Sequence, residues 1–142
     1  MDLNITLDGI HLIQAGAILF VLGLLQGVVI PIFKNSRMAL SAHLTALQSA
    51  MALMIFGIIW KLIALDADWL VLMKWCLIIS IYLIWAGITL AACNGASKVL
   101  PIAGSGFSAS RTAELTVTIL EVIGGVLILF ACILIVVGLF NH

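Results

Sequence analysis

The chain has 142 residues, 65% of them hydrophobic and 8% charged, with a mean hydropathy of +1.36; a soluble domain carries about a quarter charged residues, so this is an integral membrane protein. Lysine plus arginine (6) balance aspartate plus glutamate (6) to a net charge of +0, which offers no basic field to a nucleic acid. Cys76, Cys93 and Cys132 form no CxxC and share no loop, so they read as small apolar residues and not as a disulfide or metal set.

Four apolar runs follow, at about residues 10–33, 38–63, 69–93 and 114–140. Each exceeds the roughly 20 residues that cross a bilayer, and lipid requires each to be helical. The predicted fold is all-α: one domain, an antiparallel four-helix membrane bundle. The first run follows an acidic start, Asp2 and Asp8, and is too long for the core of a cleavable signal peptide, so it is expected to remain as a span. Pro31 and the Lys34-Asn35-Ser36-Arg37 turn close it, and Ser36 is the expected cap of the second helix. The turn at Asp66 and Asp68 precedes the third, with Asp68 as its expected cap. Asn94 and Gly95 end the third, and Ser110 or Thr112 opens the fourth.

The 94–111 connection holds Gly95, Pro101, Gly104 and Gly106. A loop of that length in so small a protein is expected to act as a lid or as the wall of a site. It shares one side of the bundle with residues 34–37, and together they carry Lys34, Arg37, Lys98 and Arg111. Lys61 and Lys74 lie on the other side with Asp2, Asp8, Asp66 and Asp68. The excess of basic residues places 34–37 and 94–111 in the cytoplasm of an inner-membrane protein. Trp60, Trp69 and Trp75 mark the opposite interface. Gly16, Gly23 and Gly27 in the first helix, and Gly124, Gly125 and Gly138 in the fourth, serve close helix approach, within one chain or between subunits.

The exceptions to this apolar pattern are the candidate functional residues. His43 lies one to two turns into the second run, with Gln48 and Ser49 deeper; Gln26, Tyr82 and Glu121 come from the other three runs. Polar groups at that depth are costly and so mark function or specific pairing. They are expected to outline one pocket opening toward the two loops. Taken singly, each has a structural alternative: a snorkelling His43, a Gln26 that bonds across helices, a Tyr82 that only packs, a hydrogen-bonded Glu121, a Glu114 that serves the helix dipole. One deep histidine suits a five-coordinate haem with an open position, or a proton relay. No HExxH, CxxC or second nearby histidine provides ligands for another metal. His11 lies near the far end of its helix and His142 is the last residue.

Leu40-Ser41-Ala42-His43-Leu44 with Gln48, the pair Tyr82 and Trp85, the stretch Pro101-Ile102-Ala103-Gly104-Ser105-Gly106, and Glu114 at the head of the fourth helix resemble the hydroxylaminobenzene mutases over nearly the whole chain. More distantly they are similar to the styrene oxide isomerases. The resemblance implies an isomerase that turns hydroxylaminobenzene, a small aromatic hydroxylamine, into 2-aminophenol by intramolecular hydroxyl transfer. It also implies a homotrimer in the lipid bilayer that holds haem b at subunit interfaces, with His43 as its axial ligand. Ferric haem would then act as a Lewis acid, and Tyr82, Gln48 and Ser49 would orient the N–OH group or carry the proton. Where the epoxide isomerases have an asparagine six residues after the histidine, this chain has Ser49; another asparagine expected two residues before the third-helix tryptophan is missing, with Ile84 nearby. The competing readings are an aryl epoxide isomerase, a non-catalytic membrane accessory protein and a small proton carrier.

Overall fold

The computed structural model describes residues 5–141; Asp2 and His142 lie outside them. In chain order the elements are α1 (Leu7–Val28), a 3-10 turn (Ile30–Ile32), α2 (Ser36–Ile58), a second 3-10 turn (Trp60–Leu62), α3 (Ala67–Asn94), the short α4 (Pro101–Gly104) and α5 (Arg111–Phe140). Four of these, α1, α2, α3 and α5, are long and apolar enough to cross a bilayer. The fold is therefore an all-α membrane bundle. The 29–35 and 95–110 connections lie at one end, the loop end; the start of α1, the end of α5 and the 59–66 turn lie at the other, the terminal end.

The caps explain most boundaries. Thr6 accepts from Gly9 N–H to start α1, and Ser110 accepts from Ala113 N–H to start α5. Gly95, at φ 85°, adopts the left-handed turn that ends α3. Two expected caps are displaced. Asn35, not Ser36, caps α2 by accepting from Met38 N–H. At α3 the capping position is Asp66, without a side-chain bond, and Asp68 falls in the first turn. Pro31 does not end α1 directly: the α-helix stops at Val28 and the proline enters a 3-10 turn whose missing N–H costs nothing.

In lipid, helices gain little by hiding apolar surface and associate through close packing. Here α1 packs along α2, α2 on α3, and α3 along α5, while α5 makes no extended contact with α1 or α2. A small-residue seam joins α1 and α2. A Cβ added at Gly16 would sit 2.7 Å from Ala50 O, and one at Gly23 would sit 2.8 Å from Ala46 Cβ. Gly9 and Gly57 face each other so closely that neither tolerates a side chain. These glycines, with Gly124 against Ile84 and Gly138 against Ile63 and Leu65, serve packing inside the chain, whereas Gly125 has open space around it.

Trp69 and Trp75 are exposed at the terminal end, as an interfacial belt requires, but Trp60 is 3% exposed and belongs to the core. Lys74 is buried too and pairs with Asp8 at 2.7 Å. Of the cysteines, Cys76 is buried, Cys132 half-buried and Cys93 exposed; all are free thiols.

Candidate active site

His43 reaches from α2 into the seam with α1. Its Nδ1 is 2.7 Å from Gly23 O. A carbonyl oxygen only accepts, so Nδ1 carries a proton, and in the neutral ring Nε2 is the nitrogen with the lone pair. Gly27 makes room for the ring: a Cβ there would stand 2.8 Å from both Cε1 and Nδ1. The glycine spacing that appeared to concern helix packing thus also seats the imidazole. Nε2 makes no hydrogen bond among the described residues.

One helical turn further toward the loop end of α1, Gln26 is buried in a closed set of bonds to α3. It accepts from Trp85 Nε1 at 2.7 Å and donates to Thr89 Oγ1 at 3.0 Å, and Thr89 donates back to Trp85 O at 2.7 Å. Gln26 therefore bonds across helices. Thr89 escaped the sequence reading, although it lies four residues after Trp85, on the same face. Trp85 also meets Tyr82 edge to face, with centroids 6.5 Å apart and an interplanar angle of 88°. The Tyr82 hydroxyl donates to Ala15 O at 2.9 Å and lines a groove of about 500 Å³ between α1 and α3, with His11, Gln14, Lys74 and Trp75.

Gln48 and Ser49 open elsewhere. They line a cleft of about 270 Å³ formed by α2, α3 and α5, whose other walls include Phe56, Ile81, Ile84 and Cys132. Glu121 lies on α5 against Gly87 of α3, and its Oε1 is buried with no hydrogen-bond partner among the described residues. The single pocket expected from the sequence is thus not what one chain forms. His43 faces the α1–α2 seam, Tyr82 the α1–α3 groove, and Gln48 with Ser49 the α2–α3–α5 cleft. A span that is apolar on every side gives no sign of which face turns inward, so the sequence lists these polar residues without grouping them.

At the loop end the 95–110 connection is pinned down, which suits a wall and not a freely moving lid. Glu114, 5% exposed, accepts from Ser97 N–H and Lys98 N–H at 3.0–3.1 Å. It straps the loop, a role beyond complementing the helix dipole. Asn35, at 0% exposure, donates through Nδ2 to Ala103 O at 2.9 Å, and its backbone N–H donates to Ala92 O. Lys34 donates to Asn94 O and Arg37 to Ser105 O. Behind this wall lies an apolar cavity of about 450 Å³ lined by Met38, Ser41, Ile88 and residues 99–103.

The comparisons with known proteins fit this architecture. Over 111 residues the chain is 36% identical to hydroxylaminobenzene mutase HabA of Ectopseudomonas oleovorans, covering 78% of this chain and 82% of that protein. It is 31% identical over 105 residues to hydroxylaminobenzene mutase HabB of the same organism, covering 73% of this chain and 64% of HabB. No solved structure matches. The model of the styrene oxide isomerase family matches residues 10–140, through all four spans. A mutase and an isomerase both rearrange atoms within one molecule, and the chain, a membrane isomerase, belongs to the styrene oxide isomerase family.

Proposed function

We propose that this isomerase converts hydroxylaminobenzene to 2-aminophenol by intramolecular hydroxyl transfer, as a homotrimer in which His43 would hold ferric haem b. The observation that carries the reading is the imidazole itself: Nδ1 is committed to Gly23 O, which in the neutral ring leaves the Nε2 lone pair for a ligand bond. That is how a histidine ligand is normally oriented and held in one tautomer. Among the described residues no three His, Cys, Asp or Glu side chains could share a metal ion. A haem would bring most of its iron ligands itself and need one more from the protein, which suits a lone histidine. The two mutase relatives support the substrate.

The reaction is an isomerisation. The N–O bond breaks, a C–O bond forms at the ortho carbon, and the proton lost from that carbon ends on nitrogen. Bound ferric haem would supply the Lewis acidity that assists departure of the hydroxyl. The remaining demands fall on the protein. Tyr82 donates its hydrogen to Ala15 O, so its oxygen is available to accept a substrate N–H or O–H. Gln48 and Ser49 line their cleft without a side-chain hydrogen bond among the described residues, so both are free to orient the N–OH group. Apolar walls keep water from capturing the ring cation, which would give the para product. Because the three polar surfaces of one chain are separate, association of subunits is the means we propose for completing the site. The substrate enters from the bilayer or from the cytoplasm, where the loop end lies.

Two measurements test this. The purified protein in mild detergent should show a Soret band that His43→Ala abolishes, and membranes carrying the intact protein should form 2-aminophenol from hydroxylaminobenzene. Full turnover by a haem-free preparation would overturn the role of His43. The family match favours aryl epoxide isomerisation as the second reading. Membranes that rearrange an aryl epoxide and leave hydroxylaminobenzene untouched would select it.

A further inference from the structure

The mechanism above leaves Glu121 unused. The residue lies in the middle third of α5, deep in a span, and a carboxyl oxygen buried there without a partner is costly. Its seat is shaped for it. A side chain at Gly87 would collide with Oε1, so the glycine lets the carboxyl lie directly on α3.

The surroundings indicate what meets that oxygen. Both α2 and α5 flank α3 without an extended contact between them, which leaves a furrow floored by α3. Toward the loop end lies the cavity lined by Ser41, Ile88 and residues 99–103; toward the bilayer centre lies the cleft lined by Gln48, Ser49, Ile84 and Ile128. Glu121 lines neither but lies at the level between the two, so a ligand running from one to the other passes it. It touches Gly87, which lies between Ile84 and Ile88, and it precedes Ile128 by two helical turns on the same face. Opposite, Ser41, Thr45, Gln48 and Ser49 recur at helical spacing down one stripe of α2. None of those four side chains makes a hydrogen bond among the described residues.

We propose that this furrow is a binding track for a small aromatic amine or hydroxylamine, and that the Glu121 carboxyl is its anchor, accepting an N–H from the ligand. The choice of ligand class rests on the mutase reading. The flat isoleucine floor takes the ring, the α2 stripe takes the polar substituents, and the unpartnered oxygen takes the nitrogen. A lipid tail would satisfy none of these polar groups.

The test is photolabelling of the full-length protein in lipid nanodiscs with 4-azidoaniline, mapped by peptide mass spectrometry and competed with 2-aminophenol. Label should appear on residues 41–56 and 121–132 and be protected by the competitor. Glu121→Leu should raise the concentration for half-maximal protection about tenfold. Gly87→Ala, which displaces the same carboxyl from the other helix, should do likewise, and Glu121→Gln, which keeps an acceptor oxygen, should restore most of the protection. Label confined to the α1–α3 groove, or unsaturable label on the lipid-facing surface, would each overturn the track. Protected labelling in a protein that forms no 2-aminophenol would uphold the track and overturn the mutase reading. Turnover with no furrow label, and with half-saturation unchanged in Glu121→Leu, would do the reverse.

Discussion

Asn35 shows how much one buried side chain can hold. Its Oδ1 caps α2, its backbone N–H meets the end of α3, and its Nδ2 fastens the wall of the loop-end cavity. Replacement by aspartate separates these roles, since the cap acceptor stays while the donor to Ala103 O is lost. Asn35→Asp should cost about 1–3 kcal/mol, the range for stranding a buried polar group, and should speed tryptic cleavage at Lys98; thermal melts and digestion time courses read the two effects. Asn35→Ala loses the cap as well and should cost about 1 kcal/mol more. The sequence marked Ser36 as the cap because either residue type serves there. What selects Asn35 is its reach to Ala103, 68 residues away, and no local pattern reports that. The same holds for Gln26: its depth in the span announced a cross-helix bond, but Thr89 became its partner through the rotation of α3, which an evenly apolar helix does not encode.

Glycines divide the elements into faces that are filled and faces that are free. At Gly16 an added methyl would press on Ala50 O at 2.7 Å, and backbone cannot step aside easily, whereas at Gly125 nothing lies within 4 Å. Gly16→Ala should therefore destabilise the fold by about 1–3 kcal/mol through overpacking. Gly125→Ala should be neutral or stabilise by up to about 1 kcal/mol through helix propensity. Stability curves in detergent with a graded denaturant distinguish the pair. The four long helices were legible because length and hydropathy alone determine them. The short helix Pro101–Gly104 was not, since four residues within a glycine-containing stretch carry no periodicity; Glu114 holds the chain just before it and Asn35 bonds Ala103 within it. Ile102, 91% exposed on that turn, has no packing partner to betray it in the sequence.

For the molecule as a whole, the basic residues bear on orientation. Lys34, Arg37, Lys98 and Arg111 lie at the loop end, against Lys61 and the buried Lys74 at the other. By the positive-inside rule we propose that the loop end faces the cytoplasm. A cysteine introduced at Ser105, with Cys76, Cys93 and Cys132 replaced, should react with a membrane-impermeant maleimide in inverted vesicles and not in intact cells; the reverse pattern would invert the topology. The packing order of the helices has a second consequence. The α1–α2 and α3–α5 pairs are each extensively packed, and the pairs meet chiefly where α2 lies on α3. The protein is thus two hairpins sharing a crease. A gene severed between Asp66 and Ala67 should yield halves that insert separately and, when made in the same cell, reunite into a co-purifying complex.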